Sequence, residues 1–227
     1  MEPPLLGAFG FPRRDTFYNA DTIRYMKAIA ALHDGGVLGA FRGLARGKLV
    51  WEIGGGWGGF AFHFKHVCPG VTYVISGLPE TMLLSSVYLQ ALVPDARVRF
   101  FDPDAPEAIW NNWSEADFIF IPEGALSRVT LPHVELVLDL QALQSMTAAR
   151  RDAHIQRAFS AGARYFFSER PAPCFLETLP PVWQAIARLY WPHEVPPRMD
   201  TAAYGGVPPL IPEGDYAHLV GWRRLRA

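Results

Sequence analysis

Short apolar blocks alternate with amphipathic stretches along most of this chain, and the alternation predicts strands and helices in turn. Asp21 stands as a candidate N-cap for a helix carrying Ile23, Met26 and Ala30, stopped at Gly35-Gly36, and a short helical piece follows over Val37 to Ala45. Lys48 to Ile53 reads as a buried strand running directly into Gly54-Gly55-Gly56-Trp57-Gly58-Gly59. The helix after it has Phe60, Phe64 and Val67 on one face and ends at Pro69-Gly70. Val71 to Ser76 predicts a strand, and Glu80 to Leu92 a helix whose apolar side is Leu83, Leu84, Val87 and Tyr88. Val98 to Phe101 and Phe118 to Ile121 are two candidates for the next strand, of which one suffices. Val134 to Leu138, Thr147 to Ala161 and Arg164 to Ser168 continue as strand, helix and strand. A helix around Val182 to Leu189 and a final strand from His218 to Trp222 complete the pattern. This order predicts an α/β, doubly wound, mostly parallel sheet with helices on both faces and ligands at the carboxyl ends of its strands.

Composition adds limits. Half of the 227 residues are apolar and 19% are charged, enough burial capacity for one large core. We expect one domain over 1–227: a helical lead-in (1–47), a cofactor-binding core (48–170), and a proline-rich substrate-side segment with the last strand (171–227). A net charge of −1 gives no pull toward nucleic acid or anionic membrane. Cys68 and Cys174 build no disulfide framework, and neither a signal-peptide pattern nor a membrane-length apolar run is present. The expectation is a soluble, cytoplasmic protein without a metal site.

Five of the six positions from 54 to 59 are glycine. A sharp strand-to-helix turn that a ligand's atoms approach closely needs residues without Cβ, so the run points to a binding loop. Gly54, Gly56 and Gly59 satisfy the dinucleotide spacing, a weak signal alone. Glu52, two residues before the first glycine, decides more: its carboxylate suits a cationic amine and repels a pyrophosphate. That favours S-adenosylmethionine, which carries an ammonium and a sulfonium and no phosphate.

The run Val50-Trp51-Glu52-Ile53-Gly54-Gly55-Gly56-Trp57-Gly58-Gly59, with Tyr73-Val74-Ile75-Ser76-Gly77-Leu78-Pro79-Glu80-Thr81 after it, resembles the class I S-adenosylmethionine-dependent methyltransferases. More narrowly it is similar to the sugar O-methyltransferase group, over roughly residues 45 to 170. The resemblance implies a seven-stranded Rossmann-like sheet and methyl transfer to a hydroxyl of a sugar or other small molecule. It places Glu52, Gly54, Gly55, Gly56 and Gly58 at the methionine end of the cofactor, Gly77 and Leu78 at the ribose position, Glu123 by the adenine, and Asp139 and Leu140 beneath it. Gly77 departs from the pattern, since the family has an acid there for the ribose hydroxyls. Ser145 stands where Glu is usual and Asp139 where Asn is usual.

The catalytic task is orientation of an acceptor plus removal of one proton. His193, Glu169 and Asp139 are the candidate bases, with His193 first on its ordinary pKa. The residues leave two alternatives open: an NAD-dependent oxidoreductase, and a catalytically silent methyltransferase-like binding protein. His63 and His66 read as a solvated helix face rather than a metal pair, Asp102-Pro103-Asp104 as a turn, and Arg223 to Arg226 as a solvated terminus. No phosphate loop, nucleophile elbow or H-E-x-x-H motif occurs.

Overall fold

A computed structural model describes residues 10–43, 46–171, 179–196 and 216–224. A small hairpin, β1 (Phe11–Arg13) and β2 (Thr16–Tyr18), leads into α1 (Ala20–Asp34). The cap of α1 is Asn19 rather than Asp21: the Asn19 side chain accepts from the Thr22 N–H, and the Thr22 hydroxyl accepts from the Asn19 N–H. This reciprocal box satisfies two otherwise orphaned donors, which a lone Asp21, already the second residue of the helix, does not. The next helical piece is a single 3₁₀ turn, Leu38–Phe41.

The main elements follow as β3 (Leu49–Ile53), α2 (Gly59–Val67), β4 (Thr72–Gly77), α3 (Pro79–Leu92), β5 (Val98–Phe100), β6 (Phe118–Pro122), β7 (Leu136–Leu140), α4 (Ala148–Ser160), β8 (Tyr165–Pro171), α5 (Pro181–Ala187), β9 (Tyr190–Val195) and β10 (Tyr216–Arg223). The sheet order is β5-β6-β4-β3-β7-β8-β10-β9. The pairs from β5 to β8 are parallel, while β10 runs antiparallel to both β8 and β9. The sheet thus has eight strands rather than seven. Both candidates for the third strand enter it: Phe118–Pro122 beside β4, and Val98–Phe100 outside it at the edge.

Side-chain alternation divides the core into two layers. Val50, Tyr73, Ile75, Phe118, Leu138 and Phe167 face α1, α2 and α3, where Tyr25, Leu32, Phe60, Phe64, Met82 and Leu89 cover them. Trp51, Val74, Ile119, Val137 and Phe166 face α4 and α5, against Ile155, Phe159, Trp183 and Ile186. Of the predicted apolar side of α3, Tyr88 packs inward against Trp57 and Phe62, but Leu83, Leu84 and Val87 are 66%, 63% and 51% exposed, and Met82, Ser85, Ser86 and Leu89 point inward instead. Arg223 and Arg224 are not loose in solvent; their guanidinium groups lie over the rings of Phe159 and Trp191. Among the described residues no helix is long and apolar enough to cross a membrane.

Candidate functional site at the glycine turn

Strand order reverses between β3 and β7, because the chain leaves β3 toward β4 on one side and returns to β7 on the other. At such a switch point the loops diverge and open a crevice at the carboxyl ends. A cavity of about 390 Å³ lies there, within the range of small-molecule sites. Its walls are Ile53, Gly54 and Gly56 after β3, Ser76, Gly77, Leu78 and Thr81 after β4, Glu123 after β6, and Ala142, Ser145, Met146 and Arg150 after β7.

The glycines are there for two different reasons. Gly54 has φ +73°, and a Cβ on it would stand 2.3 Å from the Ala142 Cβ, so this residue lets the turn after β7 close against the loop. Gly56 has φ +51° and nothing within 4 Å of where a Cβ would be, which leaves its backbone bare toward the cavity. Gly58, at φ +88°, is the N-cap of α2 and packs against Ser85 and Leu89. Gly55 lies over Glu52, whose Oε2 would be 3.1 Å from a Cβ there.

Glu52 is not part of the cavity wall. Its side chain turns beneath the loop, 3% exposed, and its Oε2 accepts a 2.9 Å hydrogen bond from the Tyr73 hydroxyl. Burial raises its carboxyl to about 7, against the lowering effects of that bond and of the Arg24 charge. Burial likewise pushes the Tyr73 hydroxyl well above its ordinary value.

Asp139 is fully buried, on the opposite sheet face. One carboxyl oxygen accepts from the Leu143 N–H at 2.9 Å and the other from the Ser168 hydroxyl at 2.9 Å. Burial raises it to about 7. These bonds hold the 3₁₀ turn Ala142–Ser145, entered through Gln141 at φ +78°, and so Asp139 positions one cavity wall without facing the cavity.

Glu169, also fully buried, is a hub at the end of β8. Arg24 Nε donates to it at 2.5 Å and Gln141 Nε2 at 3.2 Å, while His218 Nε2 lies 3.3 Å from its other oxygen. Arg24 also donates to the Leu140 carbonyl at 3.2 Å, which ties α1 across the ends of β7 and β8. Glu123 reaches the cavity while bound by Arg150 (2.6 and 3.2 Å) and His154 (3.0 Å). Burial pushes Glu123 up, but these partners leave it below the ordinary carboxylate range.

Of the residues singled out from sequence, Gly54, Gly56, Gly77, Leu78 and Glu123 line the cavity. Glu52, Gly55, Gly58, Asp139 and Leu140 support it from behind. His193 does not come near: it is an exposed residue of the edge strand β9, four strand positions from β3, roughly 19 Å at ordinary spacing. His63 is buried against Tyr25 and Phe62 rather than solvated. Asp102 forms a local turn by accepting from the Asp104 N–H. Among the described residues no three His, Cys, Asp or Glu side chains are placed to share a metal ion. Sequence reasoning missed Thr81, Arg150 and Arg24. Only Thr81, one turn after the strand end, had a readable position.

No protein-family model matches the sequence, and no curated protein matches it. Solved structures do resemble the fold. The N-methyltransferase NodS from Bradyrhizobium japonicum WM9 aligns with TM-score 0.53 and 11% identity over 89% of this chain and 96% of its own. Magnesium protoporphyrin IX methyltransferase (ChlM) from Synechocystis PCC 6803, crystallised with bound SAM, gives 0.52 and 13% over 90% and 83%. The methyltransferase domain of bacterial CtHen1 gives 0.50 and 11% over 90% and 100%. With its parallel sheet, antiparallel β10 and crevice beside the glycine turn, the chain has the class I methyltransferase fold.

Proposed function

We propose that the chain is an S-adenosylmethionine-dependent methyltransferase acting on a small-molecule hydroxyl, with sugars as the acceptor class to test first. The cavity at the strand-order reversal carries this reading, because its walls fit the cofactor. Gly56 offers bare backbone to the amino-acid end. Leu78, 55% exposed, offers an apolar wall for the adenine, and Glu123 an acceptor for its amino group. At the ribose position the Thr81 hydroxyl lies 3.5 Å from where a Cβ on Gly77 would stand, so a hydroxyl is present although the acid is not.

When bound, S-adenosylmethionine supplies a methyl group activated by the sulfonium. The protein's own part is to orient the partners and exclude water. Glu52 supplies negative charge under the loop, where a cationic amine draws its carboxyl toward the ionised form. Asp139 and Glu169 act as positioning residues, since the oxygens of both are already engaged by protein donors. That saturation favours a second reading, a protein that binds the cofactor without turnover.

Calorimetric titration with S-adenosylhomocysteine and with NAD tests the proposal. We expect S-adenosylhomocysteine to bind, NAD not to bind, and Glu52→Gln to weaken binding about tenfold, the scale of one charge-assisted contact. NAD binding without S-adenosylhomocysteine binding overturns it. Unchanged affinity in Glu52→Gln removes the electrostatic reason for choosing this cofactor. Methyl transfer across a panel of sugars separates the enzyme from the silent binder.

A further inference from the structure

The amino ends of β3 and β4, opposite the crevice, carry a second cavity. Its volume is about 500 Å³, larger than the crevice itself, and it lies between the 3₁₀ turn Leu38–Phe41 and the end of α2. The five residues of β3 separate the two cavities by about 17 Å, and they share no wall. Leu38, Phe41, Val67 and Pro69 give this second cavity apolar sides. Phe41 is held from behind by the Phe64 ring, edge to face at 5.9 Å, and by the Lys48 ammonium 5.7 Å from its centroid. Lys48 is itself engaged by the Ala40 carbonyl at 2.8 Å and by Glu135 at 3.5 Å.

Arg42 and His33 complete the lining, and no carboxylate belongs to it among the described residues. Among those residues the exposed guanidinium of Arg42 meets one polar group, His33 Nε2 at 3.5 Å, and no acid. Asp34 Oδ1, 3.1 Å from His33 Nδ1, orients the imidazole from its other side. Most of the donor fork of Arg42 is therefore unengaged at the edge of an apolar cavity. We propose that this cavity is a second binding site, for a small monocarboxylate with an aromatic or short alkyl body. The planar fork pairs with a carboxylate through two parallel hydrogen bonds, and the apolar sides remove the hydrocarbon from water. One uncompensated guanidinium balances one negative charge, whereas a polyanion would leave charge unmatched against the apolar walls. An uncharged ligand, or an apolar stretch of chain, would cover Arg42 without supplying its counter-ion. The site stands apart from methyl transfer and does not rest on the proposed function.

Titration of the isotope-labelled full chain with 1-naphthylacetate, followed by amide NMR shifts, tests this. Binding is expected with a dissociation constant on the order of 1 mM, the scale of a ligand of about 14 non-hydrogen atoms, and the shifts should centre on Gly43, Val67 and Gly70. The uncharged isostere 1-naphthylacetamide is expected to bind at least tenfold more weakly. Arg42→Gln removes the fork, and Val67→Asp places a like charge on the wall; each is expected to weaken naphthylacetate binding about tenfold. Both positions are exposed, so the melting of the two variants stays that of the wild type. No binding overturns the proposal, as does equal binding of acid and amide, affinity indifferent to both substitutions, or shifts centred on Gly54 to Gly58. The position of the shifts is read without S-adenosylhomocysteine, so the outcome is separate from whether that ligand binds.

Discussion

On the proposed cofactor placement, Gly77 is the residue at which the ribose lacks an acidic acceptor, and its surroundings leave room for one. Its φ is outside the left-handed region, and a Cβ would meet only ordinary contacts: Thr81 Oγ1 at 3.5 Å, the Gly54 Cα at 3.9 Å and Met82 Cγ at 3.9 Å. Gly77→Asp is therefore expected to fold normally and to place a carboxylate beside the Thr81 hydroxyl, within the cavity. A charged acceptor for two ribose hydroxyls is worth about 1.5–3 kcal/mol, so S-adenosylhomocysteine affinity should rise about ten- to a hundredfold. Titration of wild type and variant reads this directly. An unchanged or weaker affinity means that the ribose lies elsewhere and that Gly77 is not its contact. The contrast with Gly54 is instructive, because there even Ala would collide with Ala142.

The element with most leverage on the site is α1, whose Arg24 reaches over the ends of β7 and β8 to Glu169. Removing the guanidinium leaves a fully buried carboxylate with Gln141 and His218 as its side-chain partners among the described residues. Arg24→Met should destabilise the fold by about 3–5 kcal/mol, while Arg24→Met with Glu169→Gln should recover much of it, since the uncompensated charge is gone. Chemical denaturation of the two single variants and the double gives the coupling; additive losses would show that Arg24 acts through packing alone. This pair also marks where sequence reading stops. Strands, the glycine turn and the parallel order were legible because apolar period and Cβ-free residues are local signals. Arg24 and Glu169 lie 145 positions apart, and no local pattern joins them. The apolar period of α3 was visible but not its direction: with leucines on both faces, packing chose Met82 and Leu89 for the core. The expectation for His193 rests on residue type alone, a property that says nothing about which strand of the sheet carries it.

Two carboxyls buried on opposite faces of one sheet make the stability of the whole protein depend on pH in a definite direction. Glu52 and Asp139 are both raised to about 7, from ordinary values near 4, because burial disfavours their charged forms. Between about pH 4 and 7 the folded protein holds protons that the unfolded chain has released, so their contribution is full below the unfolded values and is lost as pH rises through 7. Glu123 works in the opposite sense: its value is lowered, and its contribution is present above the ordinary carboxylate range and lost as pH falls through the lowered one. The melting temperature of the free protein should therefore be highest at mildly acidic pH, fall between about pH 5 and 7 and level off above 7, and Glu52→Gln should flatten part of that fall. Ligand binding reverses the sign for Glu52. On the proposed cofactor placement, a cationic amine above the loop prefers the ionised carboxylate, so binding releases a proton and the stabilisation by S-adenosylhomocysteine should grow as pH rises toward 7 and level off above it. Thermal melts of wild type and Glu52→Gln, with and without ligand, measure both slopes. If the ligand-induced shift has the same pH dependence in the two proteins, the carboxylate beneath Gly55 serves the fold alone and the amine is held by something else.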